Sequence, residues 1–75
     1  MKELVEILAK ALVDKPEAVD VRLIENEQSV VIELRVAAED TGKVIGKHGR
    51  IAHALRQMVK AAAAKSRKKV VLEIL

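Results

Sequence analysis

The sequence predicts an α+β fold in the order α-β-β-α-α-β, in which three helices cover one face of a three-stranded mixed sheet. Two observations predict it. Apolar residues recur at helical spacing in residues 2–14 and again from Arg50 onward, and they alternate with polar residues in residues 18–25 and 29–37. The chain has 75 residues, 51% of them hydrophobic, which is enough for one small core and unlike the composition of a disordered chain. We therefore expect a single domain over residues 1–75.

The first half of the chain is predicted to form a helix followed by a β-hairpin. Residues 2–14 form an amphipathic pattern, and Pro16 ends the helix because the residue before proline avoids the helical region. Residues 18–25 and 29–37 alternate between apolar and polar, and the polar residues 25–28 between them favour a turn. The predicted inner faces are Leu4, Ile7, Leu8, Ala11 and Leu12 on the helix, Val19, Val21 and Leu23 on the first strand, and Val30, Ile32, Leu34 and Val36 on the second.

Two helices and a last strand are predicted in the second half. Glu39 and Asp40 open a short helix, because acids suit its positive end, and the helix runs to Ile45. A longer helix starts near Arg50, and residues 70–75 form the last strand, which the two-helix crossover allows to return parallel to the second. On the longer helix, the predicted buried stripe is Ile51, Ala54, Leu55, Met58, Val59 and Ala62, and the polar side is Arg50, His53, Arg56, Gln57 and Lys60.

The charges are distributed unevenly along the chain. Residues 1–40 carry a net charge of −5, residues 41–75 carry +8, and no acid lies between Asp40 and Glu73. One basic face on a molecule whose total charge is only +3 is typical of a protein that binds a polyanion. The alternative is a solvated lysine-rich surface, but the acid-free length of this stretch favours the polyanion binder.

The sequence Gly46-Lys47-His48-Gly49 is the most specific motif in the chain. Glycine lets a backbone approach a ligand closely, and exposed amides at the start of the following helix suit a phosphate group. A GxxG loop that clamps a nucleotide backbone is the signature of KH domains. The alternative is a corner between two helices that needs glycine for its conformation alone. Here the basic filling of the loop and the element order around it favour the KH interpretation.

The whole chain resembles a type II KH domain, with the glycine loop between the last two helices. Met-Lys-Glu-Leu at residues 1–4 and Gly-Lys-Val-Ile-Gly-Lys-His-Gly-Arg-Ile at residues 42–51 resemble the small bacterial single-KH-domain RNA-binding proteins of the KhpA family. The resemblance implies a cytoplasmic single-stranded RNA-binding protein that acts as an RNA chaperone. It also implies a homodimer, a heterodimer with a larger Jag-type RNA-binding protein (KhpB, also called EloR), and a link to cell-wall homeostasis and cell shape.

The KH resemblance assigns the RNA site to the glycine loop and its flanks. Lys47 and Arg50 would supply charge to phosphates, His48 a polar contact, and the second strand the opposite wall of the groove. Many KH motifs carry a bulky aliphatic residue three places after the second glycine, where this chain has Ala52. The predicted RNA-binding residues are Lys43, Val44, Ile45, Gly46, Lys47, His48, Gly49, Arg50 and Ile51.

Other chemistries lack the residues they need. A P-loop requires four residues between its glycines and Ser or Thr after the lysine, whereas three residues separate Gly42 from Gly46 and His48 follows Lys47. Gly42 is instead expected to serve helix packing. His48 and His53 are five apart and would not share a helix face, so we expect no metal site. No catalytic constellation and no cofactor site is evident, and we expect a non-enzyme.

The composition also bears on other RNA-binding folds, on localisation and on an alternative function. The chain has no aromatic residue, which disfavours RRM and OB folds more than KH, because KH domains can hold bases in an aliphatic groove. No apolar run reaches the roughly 20 residues of a membrane span, so a cytoplasmic protein is expected. The alternative function is a protein-interaction or dimerisation module with secondary nucleic-acid binding, suggested by an alanine-rich face that permits close helix approach, around Ala54, Ala61, Ala62 and Ala64.

Overall fold

The computed structural model describes residues 2–64 and 66–75 and confirms the predicted order of elements. Met1 of the N-terminal motif and Lys65 of the basic half lie outside the described residues. No helix of the described part is long and apolar enough to cross a membrane. The elements are α1 (Lys2–Leu12), β1 (Asp20–Glu25), β2 (Ser29–Arg35), α2 (Thr41–Ile45), α3 (Arg50–Ala62) and β3 (Lys69–Ile74), with single turns of 3₁₀ helix at Pro16–Ala18, Ala38–Asp40 and Lys47–Gly49.

The sheet has the predicted mixed topology, with strand order β1-β2-β3. β1 runs antiparallel to β2 and β3 runs parallel to it. The hairpin closes through Asn26, whose side-chain oxygen accepts hydrogen bonds from the N–H groups of Gln28 and Ser29 at 2.9 and 2.8 Å. On β2 the alternation predicted from the sequence is confirmed, because Val30, Ile32 and Leu34 are buried beneath the helices.

The inner face of α1 differs from the prediction. Val5, Ala9 and Val13 are buried, whereas Ile7 is 66% exposed and Ala11 is exposed. Apolar residues cover more than half of this helix, so periodicity finds the apolar arc without showing which part faces the sheet. The side chains nearest the sheet are short or β-branched, and the longer side chains flank them. Those flanking residues, all partly buried, are Leu4, Leu8 and Leu12.

The buried face of α3 is also rotated relative to the predicted stripe. Leu55 and Val59 are buried as predicted and Ile51 is partly buried. The predicted members Ala54, Met58 and Ala62 are exposed, and their places are taken by Ala52 and Ala63 at 3% and 6% exposure. Ala52 stands between Ile51 and His53, next to the predicted stripe but outside it. Its small side chain allows α3 to pack closely.

Asp40 has a different role from the predicted one. The short helix begins at Thr41 rather than at the acids, and Asp40 makes no side-chain capping bond. Its side chain is 1% exposed, and its Oδ2 accepts a hydrogen bond from the backbone N–H of Lys15 at 3.0 Å. The carboxylate therefore joins the segment after α1 to the start of α2. A buried carboxylate requires such a partner, and here the bond restrains the two segments relative to each other.

Candidate nucleic-acid interface

The glycine loop between α2 and α3 begins with a backbone conformation that requires glycine at position 46. Gly46 has φ 77° and ψ 170°, a region essentially confined to glycine. A Cβ on Gly46 would lie 2.6 Å from Cγ1 of Ile51, so glycine is also needed for space. The Gly46 N–H donates to the carbonyl of Gly42 at 2.8 Å and closes α2. The chain therefore leaves one helix and enters the next within a few residues.

Two successive left-handed residues form the second half of the loop. His48 has φ 59° and ψ 23°, and Gly49 has φ 73° and ψ 14°. Positive φ is uncommon for a residue with a Cβ, although histidine tolerates it better than most. The Gly49 N–H donates to the Gly46 carbonyl at 3.1 Å, and the side chains of Lys47 and His48 are exposed. The loop thus presents a basic side chain and an imidazole to solvent.

The aliphatic residues beside the loop occupy different environments. Val44 is fully buried in the core, so it supports the loop from beneath. Ile51 is partly buried and packs against the core at the first turn of α3. Ile45 is 37% exposed and is the most accessible of the three apolar side chains.

Lys43 has acidic neighbours that the sequence did not reveal. Its ammonium forms salt bridges with Asp14, beyond the end of α1, and with Asp40 at 3.7 Å. The hydrogen bond to Asp14 raises the pKa of Lys43 above its ordinary value. Lys43, the first cation of the acid-free stretch of sequence, therefore has acids beside it in the folded protein. Asp14 is 29 residues away, so no local pattern indicated it.

A cleft lies between α3 and β3, on the flank of α3 that carries His53, Arg56 and Lys60. These residues stand at i, i+3 and i+7, which places them on one side of a helix. The strand opposite α3 in this cleft is β3, the edge strand, whereas β2, which was expected to form the wall of the RNA groove, is central in the sheet. The cleft, about 220 Å³ in volume, is lined by Arg56, Val59, Lys60, Lys69, Val70, Val71 and Leu72.

The basic side chains divide into paired and unpaired groups. Lys10, Lys15, Arg22, Lys43 and Lys68 form salt bridges. Within residues 2–64 and 66–75, no salt bridge joins an acid to Lys47, Arg50, Arg56, Lys60, Arg67 or Lys69. This second group runs from the glycine loop along α3 to the start of β3, whereas the other unpaired cations, Lys2 and Arg35, lie on α1 and β2. The unneutralised charge is therefore concentrated around the loop and the cleft.

The opposite flank of α3 is apolar. A cavity of about 290 Å³ lies between α1 and α3 and is almost wholly lined by apolar surface. Met58, which the sequence assigned to the core, lines it and is 47% exposed. The full lining is Leu8, Ala11, Leu12, Arg50, Ile51, Ala54, Leu55 and Met58. We call this surface the α1/α3 groove. Its lining includes three of the residues whose burial was wrongly predicted, Ala11, Ala54 and Met58.

Comparison with known proteins identifies the family to which this fold belongs. The family model described as "KhpA/KhpB, KH domain" matches residues 2–74, which include every helix and strand of the structure. The chain belongs to the KhpA/KhpB KH-domain family. Its α-β-β-α-α-β order and mixed sheet are those of a type II KH domain, as the sequence predicted. The glycine loop lies at the α2–α3 junction of this KH fold.

Full-length relatives within the KhpA/KhpB family carry the name RNA-binding protein KhpA. One from Clostridium perfringens is 64% identical over 75 residues, covering all of both chains. One from Caldanaerobacter subterraneus is 61% identical over the same length. A third, from Aquifex aeolicus, is 56% identical over 75 residues and 95% of its own length. No solved structure matched the chain.

Proposed function

We propose that this protein binds single-stranded RNA and clamps the RNA backbone with the loop Gly46–Gly49. The observation that carries the proposal is the loop geometry: a glycine-dependent turn opens directly onto the unpaired cations of α3. Lys47 and Arg50 would contact phosphates, and the guanidinium of Arg50 offers the planar fork that suits them. The names of the KhpA relatives support RNA as the polyanion.

The shape of the cleft favours unpaired over duplex RNA. At about 220 Å³ it is far smaller than a turn of RNA duplex, so a base would enter it only when unpaired. Double-stranded RNA is recognised across a length of about 16 base pairs by folds that span two minor grooves. In this cleft the floor is aliphatic, from Val59 and Val70 to Leu72, so bases would contact methyl groups in place of aromatic rings. The ligand is accordingly a short single-stranded segment.

We infer a less direct role for two of the nine predicted RNA-binding residues. Lys43 is engaged by two carboxylates and Val44 is fully buried, so both would act by holding the loop in place. The residues proposed to touch RNA are Ile45, Gly46, Lys47, His48, Gly49, Arg50 and Ile51.

The wider biology is proposed from the family. We propose that residues 1–75 form one KH domain that acts as an RNA chaperone in the cytoplasm. A larger Jag-type RNA-binding protein (KhpB, EloR) is the proposed heterodimer partner, supported by the pairing of KhpA with KhpB in the family description. The proposed link to cell-wall homeostasis and cell shape follows from the resemblance to the KhpA family.

The α1/α3 groove favours a second candidate function, dimerisation. Its lining is apolar, and exposed alanines on α3 permit close approach of another helix. We propose a second copy of this chain as the occupant in a homodimer. The groove and the basic cleft lie on opposite flanks of α3, although the groove lining includes Arg50 and Ile51, which are also proposed RNA contacts.

Replacement of Lys47 and His48 together by Asp tests the RNA clamp. Both side chains are exposed and aspartate tolerates the left-handed conformation at position 48, so circular dichroism should show an intact fold. Two anions facing phosphate should abolish binding of fluorescein-labelled single-stranded RNA. The double variant Lys2→Asp, Gln28→Asp changes net charge equally at exposed sites on α1 and in the hairpin turn. Undiminished affinity of the folded loop variant, or equal losses in both variants, would contradict the clamp.

A further inference from the structure

A second group of unpaired cations lies at the far end of α3 from the glycine loop. Lys60 is on the last turns of α3, Arg67 is in the connection that follows, and Lys69 begins β3. All three are exposed and line one surface cavity of about 350 Å³ together with Ala63, Ala64, Lys68 and Val70. Sequence analysis assigned none of them to the RNA site. We call Lys60, Arg67 and Lys69 the distal cluster.

The ion pairing of neighbouring residues separates the distal cluster from an ordinary lysine-rich surface. Lys68 lines the same cavity, but its ammonium lies 2.7 Å from the carboxylate of Glu25 and is neutralised there. Among the described residues, no acid forms a salt bridge with a member of the distal cluster. Three like charges around one open cavity repel each other, and an anion bound between them relieves that repulsion. The cavity therefore suits a phosphate-bearing ligand.

The distal cluster lies at the far end of α3 from the glycine loop, where the basic cleft ends. Ten residues of helix separate Arg50 from Lys60, which corresponds to about 15 Å along the axis. A KH loop holds about four nucleotides of backbone. Arg56 lies between the two ends, on the flank of α3 that faces β3, and lines the cleft that also contains Lys60 and Lys69. A strand that follows this flank from the loop therefore arrives at the distal cluster.

We propose that Lys60, Arg67 and Lys69 bind phosphates of the same RNA strand beyond the nucleotides held at the glycine loop. The inference rests on the proposed RNA-binding function and extends its site. The RNA segment contacted by one domain is then longer than the segment held by the glycine loop alone. Each added phosphate contact releases counterions and contributes on the order of fivefold in affinity at 0.1 M salt. Affinity should therefore continue to rise with RNA length past four nucleotides.

The triple variant Lys60→Gln, Arg67→Asn, Lys69→Gln tests the distal cluster. Asparagine is chosen at position 67 because Arg67 has φ 60°, a conformation that asparagine tolerates. The matched control Lys2→Gln, Lys10→Gln, Arg22→Gln removes the same charge from exposed side chains on α1 and β1. Affinities for oligouridylates and oligoadenylates of 4, 8, 12 and 16 nucleotides would be measured by fluorescence anisotropy between about 50 and 200 mM salt.

We expect the triple variant to lose more affinity for the longer RNAs than for the shortest, and so to lose the gain with length. Its log–log salt slope on the longer RNAs should fall by about 0.7 for each phosphate contact removed. The control should retain both the gain and the slope. An equal loss at all lengths, a loss matched by the control, or an unchanged length dependence would overturn the distal cluster. By contrast, RNA binding that survives Lys47→Asp, His48→Asp would overturn the clamp itself, whatever the distal cluster does.

Discussion

At the scale of single residues, the three glycines of the chain have different physical roles. A Cβ on Gly42 or Gly49 would meet no atom within 4 Å, whereas on Gly46 it would overlap Ile51. Gly46 and Gly49 have positive φ, and Gly42 lies inside α2. The expectation that Gly42 serves helix packing is therefore wrong. Because no atom lies close to that position, glycine at position 42 brings the helix only its entropic cost.

Alanine substitution at the three glycines should separate these roles. Gly42→Ala should raise the free energy of unfolding by about 0.5–1 kcal/mol, because alanine restricts the unfolded chain and favours the helix. Gly49→Ala should lower it by about 1–2 kcal/mol through the left-handed backbone alone. Gly46→Ala should lower it by at least about 2 kcal/mol, because steric overlap is added to backbone strain. Urea denaturation measures all three. Equal changes at positions 42 and 46 would refute this assignment.

The sequence predicted that the loop exists but not how each of its residues behaves. Two glycines around Lys47 and His48, between two apolar helical patterns, were enough to predict a turn with exposed side chains. The sequence could not show that a Cβ at position 46 would overlap the side chain of Ile51. Nor could they show that Lys43 meets Asp14, because that contact depends on how α1 ends against α2. Local pattern predicts exposure, whereas partners distant in sequence come only from the fold.

At the scale of elements, periodicity predicted each helix but not its inner face. On both α1 and α3 the apolar arc is wide enough to serve two surfaces, the core and the α1/α3 groove. The predicted stripe followed the larger side chains, such as Met58, and those residues flank the core. On β2 the prediction was right, because a strand offers only two faces and the alternation leaves no third choice.

The short helix α2 depends on contacts from outside itself. Its five residues are too few for a helix that is stable alone. Asp40 accepts the N–H of Lys15, and Lys43 pairs with Asp14 and Asp40, so α2 is restrained against the end of α1. Asp40→Ala should lower the free energy of unfolding by about 1–3 kcal/mol, because it leaves a partly buried N–H without its acceptor. A loss no larger than that of the exposed control Glu39→Ala would contradict the restraint.

Lys43 should differ from Lys47 in both pH dependence and RNA binding. The folded pKa of Lys43 is raised by its bond to Asp14, so its stabilising effect is present at neutral pH and lost as pH rises through that raised pKa. The difference in stability between the wild type and Lys43→Gln should thus shrink above the ordinary lysine pKa of about 10.4. At neutral pH, Lys43→Gln should weaken RNA binding less than Lys47→Gln. Thermal melts and anisotropy measure the two effects, and a larger RNA defect in Lys43→Gln would contradict this role.

At the scale of the whole molecule, α3 separates two surfaces of opposite character. Its flank toward β3 carries Arg56 and Lys60, and its flank toward α1 carries Ala54 and Met58. The acids of the first half of the chain lie mainly on α1, on the hairpin and at the start of α2. The sequence therefore predicted the electrostatic polarity correctly, whereas the apolar groove became visible only once the faces of both helices were known.

The arrangement predicts that dimerisation and RNA binding can be separated by mutation. Met58→Glu places a charge in the α1/α3 groove at a side chain that is 47% exposed, so the fold should survive while the dimer is lost. The neighbouring exposed substitution Gln57→Glu adds the same charge outside the groove lining and is the control. Sedimentation velocity over a wide concentration range should give a dimer for the wild type and Gln57→Glu, and a monomer for Met58→Glu.

RNA length provides the second readout of the dimer. Two clamps held in one dimer raise affinity for a long RNA through effective concentration, without a new contact in either domain. Met58→Glu should therefore bind a short RNA as the Gln57→Glu control does and bind a long RNA more weakly. A wild-type mass that stays at one chain at high concentration would reject the homodimer. The glycine-loop clamp would then act as a single weak site. Tight binding of RNA would require a second protein that supplies another site.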